Sequence, residues 1–439
     1  MSILLNPVTV AVLVLVVLCL SKLNVVISML VACLVGGIVG GLPMTGSDGS
    51  IMSLLTHGFN ANAQTALAYV LLGTFATAIA TTGLADILCK KLSKIIGGKP
   101  LVLIGILTVV ACLSQNLIPV HIAYIPILVP PLLSMMNEMK LDRRRVATAI
   151  AFGHKAPYIA IPFGFGLIFQ DIVATNLTTN GMEATVMDVA SINWVLALAM
   201  VVGLLVSVFI TYRKPREYKM VKADTSASDA VSEKLEYRHY VTFGAILAVV
   251  VVQVVSSNLA LSALCGVMVM IIFGAIRLDQ LDDQVAGGIK TMGLVSVVML
   301  IAGGFAEVIK ATGGVEALVQ SAVGVMGGSK LVAAIVITLI GMLITMGIGT
   351  SFGTVPILAV LYVPLCQEMG FSLHATVLLI TAAATLGDAG SPASDTTLGP
   401  TSGLNADGQH DHIWDTCVPG FLHFSVPLML AGIIASQFV

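Results

Sequence analysis

Apolar residues along this chain come in runs of membrane length, and polar residues are confined to the gaps between runs and to interruptions inside a few of them. Runs such as Val8 to Leu20, Val25 to Leu42 and Leu196 to Ile210 approach the roughly 20 residues that a helix rising ~1.5 Å per residue needs to cross a hydrocarbon core. They predict helices, not the strands of an outer-membrane barrel, which alternate apolar and polar positions. Two plain spans open each half, at 4–20 and 24–42 and at 240–256 and 259–276. Spans bearing a Gly-x-Phe-Ala motif follow at 64–88 and 290–309, then apolar stretches interrupted at their middles, 101–136 and 331–368. A broken segment comes next, 146–169 and 374–400, and a plain helix closes each half, at 192–211 and 413–437.

The halves match because one duplicates the other. Gly73, Phe75, Ala76, Ile79, Thr82 and Gly83 recur 230 residues later as Gly303, Phe305, Ala306, Ile309, Thr312 and Gly313. The register holds through Gly97-Gly98 and Gly327-Gly328 to Glu138-Met139 and Glu368-Met369, with 19 identities in the 67 positions from 73 to 139. Compositional bias would scatter Leu, Val and Ile matches. It would not align paired glycines, Thr-Gly steps and the lone prolines Pro126 and Pro356.

Charge orients the runs. Lys90, Lys91, Lys94 and Lys99 precede the first interrupted stretch and Lys140, Arg143, Arg144 and Arg145 follow it, so both its ends are expected in the cytoplasm. The interruptions themselves, Ser114 to Pro119 and Thr345 to Thr354, superimpose under the 230 offset. Two full crossings and a re-entrant hairpin both fit such a stretch; a tip that is uncharged and rich in Asn, Pro or Gly suits a protein-lined cavity at the midplane and favours the hairpin. Five crossings plus one hairpin per half is an odd number of crossings, which inverts the second copy relative to the first. The expected fold is therefore an all-α polytopic membrane protein. It consists of two inverted repeats, 1–211 and 240–439, each with five transmembrane helices, one re-entrant hairpin and one broken helix. The basic segment 212–239 is a cytoplasmic linker, and both termini face outward. Lys310 and Lys330 fall on the outer side and count against this orientation.

Composition agrees: 57% hydrophobic residues, 10% charged and a mean hydropathy of +1.01 exclude a soluble domain of this size. A net charge of -2 with no basic face excludes a nucleic-acid partner. The seven cysteines are scattered through apolar runs without a CxxC pair and read as small core residues. The apolar stretch after Met1 lacks a basic n-region and reads as a first spanning helix, not a signal peptide.

Broken helices free backbone groups that an ion or substrate can satisfy. The second break, Gly387 to Asp395, supplies Asp388, Ser391, Ser394 and Asp395, followed by Thr396 and Thr397, the carboxylate and hydroxyl oxygens that a hard cation such as Na+ prefers. Carboxylates at membrane depth are costly unless paired or coordinating. The first break, placed at Gly153-His154-Lys155-Ala156-Pro157, offers cationic or protonatable groups instead. Lys155 could pair with Asp388 or Asp395, bind a substrate carboxylate, or carry an exchanged proton; His154 could be a satisfied core residue or a proton carrier. At the hairpin tips Ser114, Gln115, Asn116, Thr350, Ser351 and Thr354 offer oxygens and amides for two related cation sites, against the alternative of tips packed only for structure. His410-Asp411-His412 could bind a metal but fits a solvated cytoplasmic loop better. An intramembrane enzyme is not expected, on the reading that neither an HExxH stretch nor a G-x-S-x-G nucleophile motif occurs.

Two interrupted hairpins, two broken helices and the segment Gly387-Asp388-x-x-Ser391-Pro392-x-Ser394-Asp395 resemble the Na+/H+ antiporter C-type family of the ion-transporter superfamily. Gly387 through His412 is similar to its amino-acid permease subgroup, which has histidine among the proposed cargos. The resemblance implies a cation-coupled transporter of the bacterial inner membrane, often a homodimer with elevator-like motion. The first break departs from the Ser-Asn-Thr type motif of many sodium-coupled relatives. The expected activity is Na+-driven movement of a small organic substrate, an amino acid, with Na+ as the coupling ion and H+ as a second candidate. Na+/H+ exchange without an organic substrate is the rival. A single cysteine at position 142 should react with an impermeant maleimide only after permeabilisation; labelling from outside intact cells would sink the orientation.

Overall fold

A computed structural model of the chain describes residues 3–439 apart from 47, 85–86, 88–90, 92–93, 117–120, 220–234 and 257, and leaves aside the side chains of 121, 123 and 322–326. Among the described residues the chain is helical, without strands. Seven helices are long and apolar enough to cross a membrane, or eight if one bent pair counts as a single span. It is a multi-pass membrane protein.

The first half runs α1 (Pro7–Leu20), α2 (Val25–Val39), α3 (Ile51–Thr82), α4 (Pro100–Asn116), α5 (Arg143–Ala160), α6 (Phe165–Thr179) and α7 (Val186–Val206). The second runs α8 (Tyr237–Ser256), α9 (Leu259–Ile272), α10 (Leu281–Ala311), α11 (Gly314–Met326), α12 (Lys330–Ile348), α13 (Ser351–Glu368), α14 (Leu373–Leu386) and α15 (Asp395–Leu404). The chain closes with α and π turns from His412 to Ala435. The helices α1 and α8, α3 and α10, α4 and α12, α5 and α14, and α6 and α15 each start 230 residues apart. Element boundaries thus keep the register well beyond residues 73–139, into segments where few identities survive.

The copies meet along α3 and α10, which pack antiparallel. Gly58 lies on Gly303 and Gly304, and Gly73 lies on Gly288. The approach is so close that a Cβ on Gly288 would stand 2.3 Å from the Thr74 amide nitrogen. By the offset Gly58 corresponds to Gly288 and Gly73 to Gly303, so these are one contact made twice. Midway between them the Ser296 hydroxyl donates to the carbonyl of Ala66, 2.9 Å away and 230 residues distant. Ala66 and Ser296 are corresponding positions under the 230 offset.

Where the interrupted stretches break, the residues explain it. Gly349, at φ +77°, separates α12 from α13. In the first copy Leu117, Ile118 and Pro119 lie outside the described residues. Beyond them Pro126, Pro130 and Pro131 divide the chain into short helical pieces, Ile125–Leu128, Pro130–Leu132 and Leu133–Glu138. The expected break at Gly153 to Pro157 is corrected: α5 passes through these residues unbroken. Pro157 costs one backbone bond, to the carbonyl of Gly153, and the helix absorbs that loss. The interruption falls at 161–164, where Pro162 biases Ile161 to an extended conformation (φ -107°, ψ 114°) and Gly164 adopts φ +60°. The two arms are bent by 50°. In the second copy α14 ends at Leu386 and α15 begins at Asp395, with the gap where the sequence places it.

Contacts between loops sort into two ends. At one, Arg143 bonds Asp407 (2.6 Å) and the carbonyl of Leu404 (2.8 Å), while Arg216 pairs with Asp415. Burial alone would raise the Asp407 pKa; its hydrogen bonds to Arg143 outweigh that and hold it below the usual carboxylate range. At the other, Asn6 bonds the carbonyl of Gly314 (2.7 Å) and Gln367 bonds that of Gly181 (2.7 Å). Each of these contacts joins loops that the charge pattern places on one side.

Candidate functional site

The second break winds around one carboxylate. Asp388 is 3% exposed, and its Oδ1 accepts a hydrogen bond from Ser394, the N-cap of α15. Its Oδ2 accepts from Ser351, the first residue of α13, and from the ammonium of Lys155, which comes from α5 in the other copy. Asp388 therefore sits where two helices begin, and the partial positive charge of each start favours it there. Lys155 is fully buried; it also donates to the Tyr158 hydroxyl (2.8 Å) and to Ser351 (2.9 Å). Of the three roles open to Lys155, the structure shows the ion pair with Asp388. Three of the carboxylate's roughly four acceptor sites are thus filled inside the protein, two on Oδ2 and one on Oδ1.

The rest of the break is held by its own hydroxyls. Ser391 donates to the carbonyl of Met346 (3.0 Å), and Thr397 donates to the carbonyl of Ser394 (2.9 Å). Thr354 donates back along its helix to the carbonyl of Thr350 (2.6 Å). The Thr396 amide is capped by Ser394 (3.1 Å). Asp395, one residue beyond Ser394, accepts from the hydroxyls of Ser394 and Thr396 (3.5 Å each) and lines a cavity of about 420 Å³.

That cavity lies beside the α3–α10 crossing. Asn62, Gln64, Thr65 and Tyr69 of α3 and Met299 of α10 form one side, with Gln253 of α8 nearby. Gln115 and Thr350 from the two interruptions and Phe165 and Asp395, the first residues of α6 and α15, form the other. Phe165 and Asp395 are counterparts in the duplication, so the copies bring corresponding helix starts to one hollow.

The amides of the first tip turn inward. Gln115 donates to the carbonyl of His154 (2.6 Å), and Asn116 to the carbonyls of Pro157 (3.1 Å) and Ile161 (3.2 Å). Gln170 of α6 serves the carbonyl of Ile159 (2.9 Å). These are backbone oxygens of the last turns of α5 and the bend; that of Pro157 also accepts from the Ile161 amide (2.8 Å) and that of Ile161 from the Phe163 amide (2.8 Å). Asn116 therefore braces the break of its own copy. His154 is buried, with Nε2 3.0 Å from the Tyr124 hydroxyl. Contact with the opposite broken helix is made by Ser351 on Lys155 and by Ile122 and Ile125 against Gly399 of α15.

Two sequence readings need correction. His410 and His412 do not form a solvated loop: His410 is 2% exposed and bonded to Thr416 (2.7 Å), and His412 holds the carbonyl of Pro392 (2.9 Å). Burial pushes the His410 pKa down to about 3, with Asp415 opposing and Arg143 assisting, so its imidazole is neutral. Among the described residues no group of three His, Cys, Asp or Glu could hold a metal. The second correction concerns the tip Gly349-Thr350-Ser351-Phe352-Gly353, which matches the G-x-S-x-G hydrolase pattern. It joins two helices, not a strand and a helix, and Ser351 faces a lysine already bound to a carboxylate.

Comparison with known proteins decides the family. The model of the Na+/H+ antiporter family matches residues 149–433, and a second Na+-H+ antiporter family model matches residues 6–96. The chain belongs to the Na+/H+ antiporter family. It is 43% identical to an uncharacterized membrane protein of Vibrio parahaemolyticus, over 98% of this chain and 99% of that one. It is also 43% identical to YuiF of Bacillus subtilis, whose name proposes amino acid transport, over 88% of this chain and 90% of that one. Among solved structures, the Alcanivorax borkumensis YdaH transporter aligns with 90% of this antiporter-family chain and 89% of its own at 13% identity and a TM-score of 0.42.

Asn116→Ala should cost about 0.5–1.5 kcal/mol of stability, the net worth of a typical hydrogen bond, since the Pro157 and Ile161 carbonyls keep their backbone partners. Hydrogen exchange at residues 158–164 should quicken. Unchanged melting and exchange in the reconstituted protein would show that the bend needs no brace.

Proposed function

We propose that this transporter uses a Na+ gradient to carry a small organic substrate, an amino acid, across the bacterial inner membrane by symport. The observation that carries the reading is the cavity beside Asp395. Its volume of about 420 Å³ falls in the range of ~300–1,000 Å³ usual for small-molecule sites. Its walls combine one carboxylate with the amides and hydroxyls of Asn62, Gln64, Thr65, Gln115 and Thr350. A carboxylate in such a hollow suits the ammonium of a zwitterionic or cationic amino acid, histidine among them, and the neutral groups suit its polar remainder. Na+ takes carboxylate and hydroxyl oxygens, which Asp388, Ser391, Ser394, Asp395, Thr350 and Ser351 can supply between the interruption and the break. The name of the Bacillus subtilis relative points to the same cargo.

The architecture proposed with it is a pair of inverted repeats, each with a re-entrant hairpin, with the linker in the cytoplasm, both termini outside, and two copies forming a homodimer. Supporting the inversion is the antiparallel pairing of α3 with α10: a two-fold axis that exchanges two antiparallel crossing helices must run perpendicular to them, in the membrane plane. The rival, Na+/H+ exchange without an organic substrate, draws on the buried ion pair. A cation arriving at Asp388 would compete with the Lys155 ammonium for the same carboxylate.

Proteoliposomes offered labelled amino acids, with Na+ and pH gradients imposed separately, test both. The expected result is Na+-driven uptake of an amino acid that falls by about tenfold or more in Asp395→Asn, the loss of one charge-assisted hydrogen bond. Na+-driven proton movement with no amino acid taken up would establish the exchanger. Full activity in the Asp388→Asn, Asp395→Asn double variant would remove the site.

A further inference from the structure

Between α1 and the final helix lies a groove that the transport reading leaves unused. It measures about 220 Å³ and is walled by Val16, Leu20, Met346, Pro392, Phe421 and Leu422. Through Cys19 and Ile413, which line both spaces, it meets a second hollow of about 180 Å³. The walls of that second space are of another kind: Lys22, Asn24, Asp411, His412 and Trp414. An apolar channel with a mouth carrying one positive and one negative side chain is the complement of an amphiphile whose head bears both charges.

The side chains at the mouth are available for a ligand. Lys22 and Asp411 are exposed, and among the described residues neither forms an ion pair. Asn24 spends its side-chain oxygen capping α2 at the Val26 amide (2.9 Å), which leaves its NH2 to donate. Asp411 caps the last helix at the Trp414 amide (2.7 Å) through one oxygen and keeps the other. Trp414, 43% exposed, is the residue type that settles where hydrocarbon meets head groups. The outer rim of the groove, Leu20 and Leu422, is 41% and 52% exposed and faces where lipid would lie.

We propose that this groove binds one glycerophospholipid with a primary-ammonium head group, a phosphatidylethanolamine. One acyl chain lies along Val16, Phe421 and Leu422 and ends against Pro392. The phosphate takes Lys22 and the Asn24 amide, and the ammonium takes Asp411. Charge selects this head group over its neighbours: a phosphatidylglycerol offers Asp411 nothing cationic, and a choline has no N–H to donate. The chain end touches Gly390 and Pro392, in the break that wraps Asp388, so the bound lipid packs behind the buried ion pair.

The sequence has two tryptophans, Trp194 and Trp414, and they make the test self-controlled. Trp194→Phe leaves Trp414 as the reporter at the mouth; Trp414→Phe leaves Trp194, 54% exposed on α7, as a reporter of ordinary surrounding lipid. The protein is reconstituted in phosphatidylcholine and quenched with brominated-acyl phosphatidylethanolamine, phosphatidylglycerol or phosphatidylcholine. The ethanolamine lipid should quench Trp414 at about fivefold lower mole fraction than the other two, the size of one exposed charge pair. Trp194 should show no preference. Lys22→Gln with Asp411→Asn, which keeps the helix cap, should erase the difference. Equal quenching of Trp414 by all three lipids, a preference for phosphatidylglycerol, or a preference that survives in the double variant would overturn the proposal.

Discussion

One buried ion pair ties the two copies of this duplicated chain together at depth. Lys155 comes from the first copy, Asp388 from the second, and both are shut away from solvent. Two charges withdrawn from water are tolerated only when each satisfies the other and their remaining hydrogen-bond capacity is filled. Ser351, Ser394 and Tyr158 fill it here. The demand explains the helix breaks around it. For Asp388 to be met by the starts of α13 and α15, both chains must stop and restart beside it, and Gly349 and the segment from Gly387 to Ser394 provide the stops.

Around this pair the glycines set how near the copies come. Gly58 with Gly303 and Gly73 with Gly288 bring α3 and α10 into backbone contact, and Ser296 bonds the counterpart of its own position. Close approach along one line, with a ring of amides and hydroxyls on the flank of α3, leaves the cavity that ends at Asp395. Two carboxylates seven residues apart therefore live differently. Asp388 pairs with Lys155, whereas Asp395 accepts from Ser394 and Thr396 and lines the cavity.

Much of this was legible in the chain itself. The duplication was readable because Gly, Pro and Thr-Gly positions cannot slide, and five pairs of helix starts obey the same offset. The long helices were read short, from 64 and 290, because Asn60, Asn62 and Gln64 in one copy and Gln284 and Lys290 in the other dilute the apolar run. Tertiary packing overrides that dilution, and Asn62 and Gln64 are wall residues of the cavity, so the polar interruption was itself the signal. The sequence points to Pro157 for the bend and the structure puts it at Pro162 and Gly164, because a proline inside a helix and one just after it look alike until the residue before each is considered. The sequence narrows the partner of Lys155 to Asp388 or Asp395, and only the meeting of two distant segments selects Asp388.

Because the pair is the bridge between the copies, its energetics test the account most directly. The measurement is a double-mutant cycle on thermal unfolding of the reconstituted protein with Lys155→Met, Asp388→Asn and both together. Each single variant strands one buried charge and should lose about 3–5 kcal/mol. The double variant, with no charge left unpaired, should recover most of that loss. Losses that simply add would contradict the pairing and, with it, the claim that this interaction holds the two copies together.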